Sequence, residues 1–302
     1  MLETWEEFDL ELSLYASFSL PLFEEHGEGG FTKIYGYKAG LRLRGYVGTL
    51  EYEGCDTLEA SLLSGCWFDP LEEARKLPRR RRACFYELWQ VFPGLGIAID
   101  PWDPKALFYS IFLSRNTDYH VNTVRWVREM ALRAGGEEGI SSLDPRSVGS
   151  SYQLAQLAEV REEALGVLDR LPRGLDILGS EGFYRSVKKD LLALPYVGPK
   201  TVHAFGLFCF GLTQLAPADR HLLRVARSLG LVDEEVRLPR KELCMIYDCS
   251  RGPSVCPQAR RCLTAIMMEE LGPLAGWFQT ASFLYGCLYL SKGQDPMGLL
   301  RR

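Results

Sequence analysis

Leu194-Pro195-Tyr196-Val197-Gly198-Pro199-Lys200, followed by Pro217-Ala218-Asp219-Arg220-His221, decides how this chain folds. The run Phe183 to Ala193 has the apolar spacing of an amphipathic helix. It ends at Leu194-Pro195, because proline cannot continue a helix and drives the residue before it out of the helical region. Gly198-Pro199 restarts one, with a flexible residue at the cap and a proline in the first turn, where its missing N–H costs nothing. The product is helix, tight hairpin, helix, with the hairpin N–H groups aimed at solvent. Such groups suit an anion, and a nucleic-acid phosphate has the right shape and charge. Lys200 lies one residue past Pro199, at the positive end of the second helix, a place suited to a nucleophilic amine. Asp219, nineteen positions further on, opens the predicted helix Asp219 to Leu229 and can project back toward that amine. An ordinary helical hairpin, with Asp219 as a plain N-cap and Lys200 in solvent, is the competing reading.

These residues resemble the motif of the helix-hairpin-helix DNA glycosylase superfamily. That motif is a leucine-proline-any-valine-glycine hairpin, a lysine two residues after the glycine in the bifunctional members, and a proline-any-aspartate-any-histidine segment. The resemblance assigns Lys200 the role of nucleophile and Asp219 that of the catalytic carboxylate. It places Tyr196, Gly198 and His221 at the DNA. Tyr196 departs from the pattern, because the family usually has a glycine there.

Composition sets the frame. A chain of 302 residues buries a sizeable core in one large or two modest domains. Apolar residues at 47% and charged residues at 25% are those of a soluble globular protein, and no apolar stretch reaches the length of a membrane span. Met1-Leu2-Glu3-Thr4-Trp5-Glu6-Glu7 is acidic and unlike a signal peptide, so a cytoplasmic location is expected. The net charge of −4 argues against a general nucleic-acid binder. The distribution argues the other way: acids gather near the start, while Arg220, Arg224 and Arg227 surround the candidate site.

The fold expected is α+β, with a β-rich domain over residues 1–90 and a helical domain over 91–302 that carries hairpin 194–200 and cysteine-rich loop 244–262. Leu10, Leu12 and Leu14 alternate with polar residues, a period of two that reads as a strand. Phe31 to Tyr52 alternates again, broken by glycines as a twisted meander would be. From Pro104 the period becomes helical, with Lys105 to Asn116, Val121 to Ala134 and Tyr152 to Leu171 as helices. Leu77-Pro78-Arg79-Arg80-Arg81-Arg82 reads as a linker and a solvated basic stretch, with a DNA anchor as the sharper alternative.

A second resemblance points to the 8-oxoguanine DNA glycosylase branch. Gly272-Pro273-Leu274-Ala275-Gly276-Trp277-Phe278-Gln279, with Phe283 beyond it, is similar to that branch's last helix. The stretch from Phe92-Pro93-Gly94 through Asp103-Pro104 to Phe112-Leu113-Ser114-Arg115-Asn116 is similar to the start of its helical domain. Gln279 and Phe283 lie at i and i+4 on one helix face, where an aromatic ring stacks on an extruded base and an amide reads its edge. The resemblance gives them those roles, and gives Asn116 that of probing the gap left in the duplex. Plain core is the other reading for Phe283, with Leu271, Trp277 and Leu284 close by. The branch's purine-sandwiching cysteine is Ala204 here, and its cytosine-reading arginine falls near Val121. No glycine in Tyr15 to Glu25 takes the place of the one whose carbonyl senses 8-oxoguanine. Leu113-Ser114-Arg115-Asn116-Thr117-Asp118 with Val121-Asn122 is also similar to the pyrimidine-specific endonuclease III branch.

Four of the nine cysteines are bunched: Cys244, Cys249, Cys256 and Cys262, with gaps of four, six and five residues. Thiolates so spaced wrap a structural iron–sulfur cluster ([4Fe–4S]) or a zinc ion, and two disulfides or free thiols are the other readings. Iron–sulfur glycosylases carry a comparable loop, but after the final helix rather than before it. Cys55, Cys66, Cys84, Cys209 and Cys287 read as small core residues. The resemblance implies a bifunctional DNA glycosylase and AP lyase of base excision repair. It would excise a damaged base, 8-oxoguanine first, from double-stranded DNA as a monomer, without a cofactor for the chemistry and without a membrane. An oxidised-pyrimidine glycosylase, a non-catalytic hairpin DNA-binding protein and a thiol redox sensor are the alternatives.

Overall fold

The computed structural model describes residues 1–135, 139–249 and 255–298. Five short strands, β1 (Leu2–Glu3), β2 (Phe23–His26), β3 (Gly30–Lys33), β4 (Arg42–Tyr46) and β5 (Thr49–Glu53), form one antiparallel sheet in the order β1-β5-β4-β3-β2. The predicted meander is the run β3-β4-β5, with Phe31 opposite Leu43 and Leu43 opposite Tyr52. The helices, numbered along the chain, are α1 (Leu10–Tyr15), α2 (Thr57–Ser64), α3 (Pro70–Arg75), α4 (Arg79–Trp89), α5 (Pro104–Leu113), α6 (Val124–Ala134), α7 (Gly139–Ser142) and α8 (Tyr152–Leu168). They continue with α9 (Glu181–Ala193), α10 (Pro199–Phe210), α11 (Arg220–Ser228), α12 (Lys241–Ile246), α13 (Leu263–Leu271) and α14 (Ala275–Leu288). The architecture is α+β, a small sheet followed by a helical body.

Two local expectations are corrected. The Leu10-Leu12-Leu14 alternation is helix α1, not a strand. Asp9 caps it by accepting from the Leu12 N–H at 2.9 Å, and Leu10 and Leu14 are buried at a helical i,i+4 spacing. Over so short a run, an alternation of period two also contains an i,i+4 pair, Leu10 and Leu14, and the cap decides. The Leu77 to Arg82 stretch is no linker, because Arg79 begins α4. Three of its four arginines have partners: Arg80 donates to the Gly230 carbonyl, Arg82 to those of Arg75 and Leu77, and Arg81 pairs with Glu270.

Sheet and body are locked by a buried charge cluster. Lys33 on β3 is fully buried and lies 2.7 Å from Asp100 and 2.6 Å from Asp103, just ahead of α5. Asp103 also accepts from the Tyr37 N–H, and it fits only because Gly36 has no side chain. Inside the body, α5 packs between α8 and α10, and nearly every residue of α5 and α10 is buried. The last helix, α14, anchors through Trp277. Its ring packs on Phe85 and Trp89 of α4, and its indole N–H donates to the Leu95 carbonyl at 2.7 Å. Gly276 lets that helix approach the Thr213 carbonyl, which accepts from its N–H at 2.8 Å. These contacts bring the start of α10, the start of α11 and one face of α14 to a single place.

Candidate active site at the hairpin

The hairpin is built by satisfying its carbonyls and leaving its N–H groups open. Helix α9 ends at Leu194, in extended conformation ahead of Pro195. The Leu194 carbonyl accepts from Lys241 Nζ at 2.8 Å, and the Tyr196 carbonyl accepts from the Arg115 guanidinium. Among the described residues the N–H groups of Tyr196, Val197 and Gly198 have no acceptor. Together with the start of α10 they are a run of free donors at a helix N-terminus, which suits an anion such as a phosphate. A Cβ on Gly198 would meet nothing in the protein, so the space in front of the cap is open to a ligand.

Tyr196 takes the left-handed conformation, φ +62°, which explains why a glycine suits this position. Here a tyrosine bears the strain, and its hydroxyl donates to Glu159 at 2.9 Å. Asn116 is likewise left-handed, φ +51°, with an exposed side chain, as asparagine tolerates best. Arg115, beside it, stacks on Phe112 at 3.8 Å and bonds Gln156 as well as the hairpin carbonyl. The loop bearing Asn116 and the hairpin are thus one mechanical unit. Burial pulls the Arg115 guanidinium down to about 10, so it holds its proton less tightly than an ordinary arginine. Sequence reasoning missed both Arg115 and Lys241. Their only signal was a cation one residue from Asn116 and another in the segment before Cys244.

Lys200 and Asp219 meet as the spacing predicts. Lys200 Nζ lies 3.1 Å from Asp219 Oδ2, with the lysine about one-third exposed and the aspartate buried. Asp219 Oδ1 caps α11, accepting from the His221 and Leu222 N–H groups at 3.0 and 2.9 Å. Oδ2 has no hydrogen-bond donor in good geometry among the described residues, so its one charged neighbour at contact distance is the amine. Capping and facing the lysine are therefore both true of this side chain, divided between its two oxygens.

Beside the pair opens a narrow pocket lined by Ala16, Phe18, Tyr119, Phe208, Gln279 and Phe283. Phe283 is partly exposed at its mouth, 5.8 Å from Lys200 Nζ, whereas Leu271, Trp277 and Leu284 are sealed in the core. Gln279 is 95% buried, yet its amide makes no hydrogen bond among the described residues. Gln279 lines the pocket, where an amide without an internal partner can take one from a ligand. The interior holds about 10 Å³, room for one water, so a base enters only when the walls move. His221 backs Phe283 edge to face at 6.1 Å and fills the gap left by Gly286, with burial lowering its basicity. It forms wall more than surface. Arg220 and Arg224 are exposed and free of internal partners among the described residues, while Arg227 is turned inward to Glu234 and Val236.

The cysteine expectations resolve unevenly. All nine cysteines are unpaired. Among the described residues no three histidine, cysteine or carboxylate side chains converge closely enough to hold a single metal ion. Cys84 and Cys209 are buried as expected, but Cys55, Cys66 and Cys287 are partly exposed. Cys287 stands one helical turn beyond Phe283, near Lys200 and Asp219, and burial raises its thiol to about 11.

The fold is shared with solved structures of DNA glycosylases. No family model and no curated protein matches this sequence. Solved structures match over nearly their whole length. One is the Clostridium acetobutylicum 8-oxoguanine glycosylase/lyase in complex with double-stranded DNA containing cytosine opposite 8-oxoG. It is 14% identical, with a TM-score of 0.65 over 93% of this chain and 92% of that one. A structure of MBOgg1 with a low-affinity DNA ligand aligns at a TM-score of 0.68 and 14% identity, over 97% and 95% of the two chains. The 3-methyladenine DNA glycosylase from Archaeoglobus fulgidus aligns at 0.61 and 15% identity, over 95% and 98%.

Proposed function

We propose that this chain is a bifunctional DNA glycosylase and AP lyase that removes a damaged base from double-stranded DNA, with 8-oxoguanine as the substrate expected first. The observation that carries the reading is the Lys200–Asp219 pair, 3.1 Å apart at the mouth of a pocket walled by Gln279 and Phe283. A phosphate seats on the hairpin N–H groups, while Arg220 and Arg224 add charge. The damaged nucleotide leaves the stack with Asn116 at the gap, Phe283 against the base face and the Gln279 amide on its edge. Phe18, Tyr119 and Phe208 enclose the rest of the base.

Lys200 Nζ, having given up a proton, attacks C1′. The glycosidic bond breaks, and the base departs with its electron pair and takes up a proton. The Asp219 carboxylate stabilises the positive charge that develops on the sugar. The sugar ring opens at O4′, which is protonated, and leaves a Schiff base between C1′ and Nζ. That group makes the C2′ hydrogen acidic, and its loss expels the 3′ phosphate by β-elimination. No step calls on a metal or a cofactor.

A panel of duplexes carrying 8-oxoguanine, thymine glycol, uracil or an alkylated purine, each with borohydride present, tests the reading. At least one should be excised and crosslinked to the protein, and Lys200→Gln should lose crosslink and nicking while still binding DNA. Robust crosslinking by the Gln variant, or no excision from any duplex, would refute it.

A further inference from the structure

The pocket beside Lys200 is lined for a flat ring, yet its free interior is only about 10 Å³. A base enters where a wall yields, and most of the walls are held. Gln279 and Thr280 belong to α14, which is fixed to the body by the Trp277 indole bond to the Leu95 carbonyl and by the Gly276 N–H bond to the Thr213 carbonyl. Phe208 is a buried residue of α10, and its carbonyl accepts from the Asp100 N–H at 2.9 Å. Tyr119 is buried as well, with its hydroxyl donating to the Ser17 carbonyl at 2.6 Å. Lys200 is held at Asp219. Ala16 and Pro217 have no side chain that can turn away.

Two half-buried rings remain, Phe18 and Phe283. Phe283 lies within α14, where the helical backbone restricts χ1, and His221 backs it edge to face at 6.1 Å. Phe18 stands in the turn after α1, free of that restriction. Its ring meets Tyr119 and Phe208 edge to face, at 5.2 and 5.1 Å. The backbone on either side of it is pinned. The Tyr15 carbonyl lies 2.9 Å from His120 Nε2, and the Ser17 carbonyl holds the Tyr119 hydroxyl. Ser17 Oγ donates to the Ala98 carbonyl at 2.8 Å and accepts from the Ser19 N–H at 3.1 Å, with both serines buried. The segment is therefore a fixed post, and the Phe18 ring is the part that can rotate.

We propose that Phe18 is a specificity-determining plug: its ring fills the base site in the DNA-free protein and rotates aside before a base reaches Gln279 and Phe283. Turned aside, it remains a wall of the filled pocket. Rotation breaks two aromatic contacts, which together bias the closed state about tenfold. That cost falls on every base, but its effect does not. A base whose edge matches the Gln279 amide is inserted almost fully with or without the plug. A base that gains only stacking on Phe283 is inserted rarely, and it loses occupancy in proportion to the cost. The plug thereby sharpens a choice that stacking alone leaves blunt.

The proposal builds on the base-excision reading, but its first measurement needs no DNA. 2-Aminopurine, offered as the free base, should bind Phe18→Ala with quenched fluorescence, bind Phe18→Leu more weakly, and leave wild type unbound. No binding to either variant, or equal binding to wild type, would overturn the plug. In single-turnover excision, Phe18→Ala should stay near the wild-type rate on the best duplex and gain about tenfold on duplexes that wild type excises poorly. A ring with a purely structural role would slow all duplexes together, and that result would overturn the selectivity role. In case the Ala variant folds poorly, 4-fluorophenylalanine at position 18 reports on the ring directly. In a Lys200→Gln background its fluorine resonance should move on binding the best duplex and stay in place with undamaged DNA; a resonance unmoved by the best duplex would refute rotation. If wild type excises no base at all, the base-excision reading falls, while the 2-aminopurine result still decides whether Phe18 fills the site.

Discussion

Asp219 does two jobs with two oxygens, and a pair of substitutions separates them. Asp219→Ala removes Oδ1, which caps the His221 and Leu222 N–H groups at 3.0 and 2.9 Å. Loss of an N-cap costs about 0.5–2 kcal/mol, which in a chain of this size lowers Tm by a few degrees. Asp219→Asn keeps an oxygen at the cap and changes only the group facing Lys200. That pair is one-third exposed on the lysine side, so losing it costs at most about 1 kcal/mol of stability. Catalysis ranks the two differently. In the proposed mechanism both variants lack the charge that meets the cationic sugar, and losing one such preorganised interaction should slow chemistry about a hundred- to a thousand-fold. The assay is single-turnover excision from a lesion duplex beside a thermal melt: Asn should melt near wild type, Ala a few degrees lower, and both should excise slowly. An Asn variant that excises at the wild-type rate would refute the assignment. So would one that melts as low as Ala, which would reduce Asp219 to a structural cap.

Three further outcomes test the supporting structure. Arg115→Lys should weaken binding of damaged and undamaged duplex alike, about tenfold, because the hairpin carbonyl loses its guanidinium clamp; the salt dependence of binding should not change, whereas Arg220→Ala should lower its slope by about one. Lys33→Met strands two buried carboxylates and should cost about 3–5 kcal/mol; burial already raises Asp100 to about 7, and a carboxyl raised on folding takes up a proton, so stability is lost as pH rises and the variant's deficit in Tm should widen from pH 5 to pH 8. Gly286→Ala should drive a methyl into the His221 ring and so into Phe283, costing about 1–3 kcal/mol and slowing excision more than it weakens DNA binding.

Helix spacing and punctuation made most of the architecture legible before any coordinates. Proline at 195 and the Gly198-Pro199 restart located both arms of the hairpin, and α5, α8, α9 and α10 fall where periodicity and breakers put them, while α14 was expected from resemblance alone. What escaped was tertiary. Leu10 to Leu14 fits two periods, and only the Asp9 cap and the burial of Leu10 and Leu14 choose the helix. Arg80 and Arg81 look like solvated charge because their partners, the Gly230 carbonyl and Glu270, lie far away in sequence. The pocket shows the same division. Gln279 and Phe283 share a helix face and could be paired from the sequence, but Ala16, Phe18, Tyr119 and Phe208 come from three other segments with no common local pattern.

The hairpin shows why a motif needs more than its own residues. A backbone that offers N–H groups to an anion also carries carbonyls of opposite sign, and those would repel the ligand if left exposed. Here cations cover the carbonyls from two sides, Arg115 reaching from the end of α5 and Lys241 from α12. Each removes an unfavourable dipole and adds positive charge behind the donors. The tyrosine at position 196 becomes intelligible in that setting. Its left-handed backbone costs about 1–2 kcal/mol relative to glycine, while the Arg115 bond to its carbonyl and the Glu159 bond to its hydroxyl hold it in place. The donor set therefore needs no glycine at 196, because side chains supplied by neighbouring segments fix the backbone conformation that glycine would adopt freely.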